Sequence, residues 1–233
     1  MPFYYFYDTR YMMMLIPVLL ITLYAQFKVS STFNRYSRIA NSRRLTGAQA
    51  AAEVLRRHGV YDVRIERVRG NLTDHYDPRT NVIRLSDSVY DSPTIAAVGV
   101  AAHEAGHAVQ YAVGYAPIQL RAAIIPLTQV GSQLGVVLLI LGLLLSFESL
   151  FFIGIVLFSF TTLFQLVTLP VEFNASRRAM ETIRSSGLLN DQEADGARKV
   201  LSAAALTYVA ALLMSIVQLL RYVMLFAGRR RDD

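Results

Sequence analysis

Four runs of this chain, 11–26, 122–147, 150–169 and 206–226, are almost wholly apolar, and they restrict the fold before any other feature is read. Lipid offers no partner for backbone N–H and C=O groups, so a segment crossing a bilayer must satisfy them within a helix or a closed barrel. Runs of this length suit helices. With 54% hydrophobic and 17% charged residues, the chain belongs in a membrane. Only Glu148 and Ser149 separate the second run from the third, which makes the two a transmembrane hairpin. The first run has tyrosines at both edges and is flanked by Arg10 and Lys28, as membrane helices are. It is expected to be a retained anchor, since it lacks the basic start and small-residue cleavage site of a signal peptide. The fourth run, broken by Gln218 and Arg221, is either a further span or a helix packed on the rest of the protein.

Between the first two runs the pattern changes to that of an α+β domain. Thr46 caps a helix that Gly59 ends. Residues 63–68 alternate apolar with charged, the period of a half-buried strand, and Gly70-Asn71 turns the chain. Segments 72–76 and 82–86 form a hairpin about the turn residues Asp77-Pro78-Arg79-Thr80-Asn81. Ser92 as cap and Pro93 at the first position then start a helix that Gly114 stops.

That last helix carries His103-Glu104-Ala105-Gly106-His107. Histidines four apart project from one face a turn apart, the spacing at which two imidazoles reach one zinc ion. The residues leading into the motif are small or apolar almost all round, so the helix is buried, and buried histidines need partners that a metal supplies. Glu104 stands where a carboxylate takes a proton from water without being a ligand. The chain has no cysteine, which excludes disulfides and thiolate ligands and leaves imidazole and carboxylate to hold any transition metal.

A zinc site that keeps a position open for water needs one more protein ligand, commonly a glutamate. Glu148 lies at the far end of the membrane hairpin and is excluded by distance. Glu172 lies where the hairpin returns to the side it left and ranks first. Glu193, following Asn190 in a capping box, more readily caps its own helix. His75, in a strand, reads as a hydrogen-bonded or substrate-groove residue rather than a ligand, and His58 at a helix end as solvent-exposed.

The stretch Leu72-Thr73-Asp74-His75-Tyr76-Asp77-Pro78, the motif from Ala101 to Ala108, the segment from Pro170 to Ala179 and the run from Ala203 to Ala210 together resemble the YugP-like family of membrane neutral zinc metallopeptidases. More distantly the order is similar to the HtpX and CaaX-prenyl-protease type. The resemblance implies an α-helical integral membrane protein with a zincin-like (gluzincin) α+β catalytic domain, in a bacterial inner membrane, acting on membrane or misfolded polypeptides. It also implies that strand 72–76 or 82–86 pairs with an extended substrate. In the distant group the glutamate segment commonly reads Glu, aromatic, any residue, Ala, Asp. Glu172-Phe173-Asn174-Ala175 fits, but Ser176, neutral and shorter, replaces the aspartate expected to orient a histidine, which leaves that role open to Asn174 or Asp195.

The expected chemistry is hydrolysis of a peptide bond by a water whose acidity zinc raises, with Glu104 as general base. Tyr208, His75 and Arg177 are candidate donors to the oxyanion. The chain then divides into an anchor (1–27), a first catalytic part (28–121), the hairpin (122–169), a second catalytic part (170–202) and a C-terminal apolar helix with a basic tail (203–233). The rival is a non-catalytic membrane scaffold keeping a structural zinc; a transporter lacks support, since no inverted repeat is visible.

The net charge of +6 comes from basic residues beside apolar segments, with no nucleic-acid-binding motif, so the partners expected are a polypeptide substrate and the bilayer, with room for a membrane-protein partner or a second copy. Thirteen of the 23 Lys and Arg residues fall in 28–121 and five in 170–202. The positive-inside rule then turns the catalytic parts toward the cytoplasm, although Arg221 and Arg229 to Arg231 argue the other way if the last run spans.

Overall fold

The computed structural model describes residues 9–232. Residues 1–8 and Asp233, the ends of the first and last expected segments, lie outside the described residues, as do the side chains of Arg10 and Arg229 to Arg231. The elements run α1 (Thr9–Tyr36), α2 (Gly47–Arg57), β1 (Arg64–Val68), β2 (His75–Asp77), β3 (Val82–Ser86), α3 (Ile95–Ala112), α4 (Ala116–Leu144), α5 (Glu148–Ser185) and α6 (Asp191–Asp232). Among the described residues, four helices are long and apolar enough to cross a membrane: α1, α4, α5 and α6.

The chain divides into two compact units. The first comprises residues up to Tyr24, Leu120–Leu169 and the chain from Thr207 onward. It is built of helix segments that turn large apolar side chains outward, Leu20, Val137, Ile153 and Leu220 among them, a surface suited to lipid. The second comprises Ala25–Gln119 and Pro170–Leu206 and contains the sheet, α2 and α3.

In the first unit Gly131 lets α4 lie against the Leu157 carbonyl of α5, an approach that leaves no room for a side chain at that position. Ser146, with φ 53°, turns the chain between them. The start of α1 meets the far part of α6: the Tyr11 hydroxyl donates to Gln218 Oε1 (3.0 Å), Gln218 Nε2 donates to the Tyr222 hydroxyl (2.7 Å), and the Arg221 guanidinium lies 4.4 Å from the Tyr11 ring centre. Between them Val18 packs with Val217.

In the second unit β3 is the central strand, parallel to β1 and antiparallel to β2, in the order β1-β3-β2. Val82, Ile83 and Leu85 of β3 are fully buried, so the alternating strand and the hairpin share one core with α2 and α3. The expected caps of α2 are present, since Thr46 and Gln49 exchange bonds from backbone to side chain and Gly59 follows with φ 68°.

Two local expectations are corrected. The segment after Lys28 stays helical to Tyr36, because Ala25, Phe33 and Tyr36 continue an apolar face that is buried in the core. Helix α3 is capped by Thr94 rather than Ser92, because residues 39–41 pair with 93–95 and hold them extended: the Pro93 carbonyl accepts from the Asn41 N–H, and Ile39 accepts from the Ile95 N–H. Helix α5 runs through Pro170 as a single 38-residue helix.

Candidate metal centre

Helix α3 fits deep in the second unit because its packing positions are small: Ala101, Ala102, Ala105 and Ala108 are almost completely buried. Gly106 is the closest fit. A methyl placed there would stand 2.7 Å from the Ala175 carbonyl oxygen of α5. This backbone approach brings Glu172, three residues before Ala175, to the histidines. Glu172 Oε2 lies 3.2 Å from His103 Nε2 and 3.4 Å from His107 Nε2, and the carboxylate is only 3% exposed. The imidazoles meet edge to face, 4.7 Å between centres.

The three atoms that could ligate a metal lie within 4.8 Å of one another. Ligands about 2.0–2.1 Å from a tetrahedral zinc stand about 3.3 Å apart, so the two measured edges match that spacing. The donor set, two imidazoles and one carboxylate, is also that of open zinc sites.

Glu104 is half-buried beside this triangle. Burial pushes its carboxyl up to about 7; the nearby His103 pulls it down, Glu172 and Asp74 push it further up, and the Tyr76 backbone N–H of β2 favours the charged form. Strand β2 lies along α3 here, with the Tyr76 ring 5.6 Å from that of Tyr111, a turn beyond His107. The Asp74 carboxylate ties the start of β2 to the end of β3 by accepting from the Ser86 N–H (2.7 Å) and hydroxyl (2.9 Å), and burial raises it.

A ring of neutral groups holds the imidazoles from behind. Ser176 Oγ is 3.1 Å from His103 Nδ1 and so occupies the position the sequence left open. Asp195 instead pairs with Arg184 and Arg198. His107 Nδ1 lies 3.0 Å from Oε1 of Gln110, a residue that sequence reasoning missed. Its signal is a polar side chain three residues after His107 in an otherwise apolar run, on the same helical face. Gln110 is fully buried.

His75 is exposed on β2 with Nδ1 2.8 Å from the Thr73 carbonyl, and Arg177 is exposed on α5 with its guanidinium 3.9 Å from Glu181. Tyr208 lies on α6 in the first unit. His58 is exposed, as expected.

Residues 11–227 match the family model described as "Putative neutral zinc metallopeptidase". The chain belongs to this zinc metallopeptidase family. A curated relative from Bacillus subtilis (strain 168), "Putative membrane protease YugP", is 48% identical over 213 residues, which cover 91% of this chain and 95% of the relative. No solved structure matches the chain. Family membership and the four apolar helices make this a membrane protein of the metallopeptidase family, and the motif helix and the Glu172 segment both fall within the matched span.

Proposed function

We propose that this chain is a membrane-embedded zinc endopeptidase with a gluzincin-type site: His103, His107 and Glu172 hold the metal, and Glu104 is the general base. The observation that carries the reading is the approach of Glu172 on α5 to both histidines of α3, with Glu104 beside them. When bound, zinc would polarise the scissile carbonyl and increase the acidity of water. Glu104 takes a proton from the attacking water as its oxygen bonds to the carbonyl carbon, and gives that proton to the amine nitrogen as the C–N bond breaks. An elevated carboxyl of the kind burial produces suits both transfers near neutral pH. Strand β2 is an edge strand beside α3, so an extended polypeptide pairing with it would run past Glu104.

The catalytic parts face the cytoplasm of a bacterial inner membrane in this reading, which the concentration of Lys and Arg in 28–121 and 170–202 supports. The contact between Tyr11 and residues 218–222 favours α6 as a full fourth crossing, which puts both of those positions on the outer side. The rival structural-zinc scaffold would close the site with a fourth protein ligand, and among the described residues the cluster holds three. The test is metal analysis of the purified protein with hydrolysis of an unfolded membrane substrate, comparing the parent with Glu104→Gln. Stoichiometric zinc in both and turnover in the parent alone is the expected result; equal turnover would overturn the mechanism.

A further inference from the structure

The polar chain behind His107 runs through four residues, and its donors and acceptors can be assigned one by one. Arg178 Nε lies 2.8 Å from Asn174 Oδ1, and a guanidinium can only donate, so that atom must be an acceptor. Gln110 Nε2 donates to the same Asn174 oxygen (2.9 Å) and to the Val171 carbonyl (2.8 Å), which uses both of its hydrogens. Gln110 Oε1 is left facing His107 Nδ1 at 3.0 Å and can only accept. His107 Nδ1 therefore carries a hydrogen, and the lone pair of Nε2 is free to point toward Glu172 and the metal position.

We infer that Arg178, Asn174 and Gln110 are positioning residues that fix His107 in its metal-binding tautomer and hold α3 in register with the helix that supplies Glu172. The inference rests on the zinc reading above. Gln110 and Asn174 are both buried, so no water competes for these bonds, and Val171 is the immediate neighbour of Glu172. One amide thus touches a ligand on one side and the backbone next to another ligand on the other. His103 differs, since Ser176 has a hydroxyl that can donate or accept and does not by itself select a tautomer. The groups behind both imidazoles are neutral, so with two imidazoles and one carboxylate the site keeps one net positive charge when a divalent ion binds.

The experiment is zinc affinity of the full-length protein in detergent, measured by competition with a chromogenic chelator, together with the visible spectrum after cobalt substitution and the melting temperature of the metal-free form. Gln110→Met keeps the volume and removes the three bonds that Gln110 makes, leaving Arg178 to Asn174 in place. It is expected to lower zinc affinity by roughly 10- to 100-fold and to alter the cobalt bands, with the metal-free melt moved by much less than the zinc-induced increment. Arg178→Met, separated from the metal position by the three side chains of Asn174, Gln110 and His107, is expected to weaken zinc severalfold in the same direction. If Gln110→Met folds and binds zinc like the parent, with an unchanged cobalt spectrum, the inference is overturned. If Gln110→Met does not fold, Arg178→Met decides, and parent-like affinity there overturns it equally. A parent that binds no zinc would instead overturn the metallopeptidase reading.

Discussion

Replacing Gly106 by alanine tests whether the contact between α3 and α5 makes the site. The added methyl would lie 2.7 Å from the Ala175 carbonyl oxygen, whereas ordinary contact begins at 3.4 Å, so the two helices must part by about 0.7 Å. Glu172 is carried by the same turn of α5 and moves with it. Metal–ligand distances in well-formed sites hold to within about 0.2 Å, so this displacement exceeds the tolerance about threefold. The folding cost is smaller: overpacking costs about 1–3 kcal/mol, and alanine in place of glycine within a helix returns about 1 kcal/mol. Zinc affinity is therefore expected to fall about 10- to 100-fold, or about 1.4–2.7 kcal/mol, while the metal-free protein still melts cooperatively. Gly99→Ala on the same helix is the control, since its methyl would come no closer than 3.3 Å to Ala197, and zinc binding should be unchanged. Chelator competition on the detergent-solubilised variants reads both. Parent-like zinc affinity in Gly106→Ala would refute the claim that this backbone approach sets the ligand geometry.

Glu104→Gln should retain zinc and lose hydrolysis, and it should also change the pH dependence of stability. Burial raises the folded carboxyl from 4.5 to about 7, so its contribution to stability is complete below the unfolded value and is lost as pH rises through about 7, by at most about 3 kcal/mol. Metal-free Glu104→Gln should thus melt like the parent near pH 4 and above it at pH 8; a parent-like melt at pH 8 would contradict the buried carboxylate. Glu172→Ala should abolish zinc binding, whereas Glu193→Ala should leave zinc in place and lower the melting temperature, because Glu193 accepts from the Asn190 N–H and from Ser42. Zinc lost from the second variant and kept in the first would reverse the ligand assignment. Because the chain lacks native cysteine, single cysteines at Ser42, Ser149 and Asp233 can be labelled in intact cells with an impermeant thiol reagent. Labelling at 149 and 233 but not at 42 is expected, and the reverse at 42 and 149 would overturn the cytoplasmic site.

Features that depend on neighbours a few residues apart follow from the local order of residues. The apolar runs specified the helices that suit a membrane, and the caps at Thr46 and at Asn190 with Glu193 are present as their spacing required. The hairpin of β2 and β3 followed from turn residues, and the two histidines shared a face because they are four apart on a helix. Features that depend on segments distant in the chain follow from packing instead. Pairing of 39–41 with 93–95 moved the start of α3 to Thr94, against a strong local signal at Ser92 and Pro93. The parallel pairing of β1 with β3 depends on a crossover that no local pattern specifies. Ser176 takes the place behind His103 because α5 lies close to α3, and Gln110 becomes a link rather than a buried liability because Val171 and Asn174 arrive from some sixty residues further on. Local propensity extends over a turn or two, whereas the approach of two helices is set by every side chain between them, and at Gly106 by the absence of one.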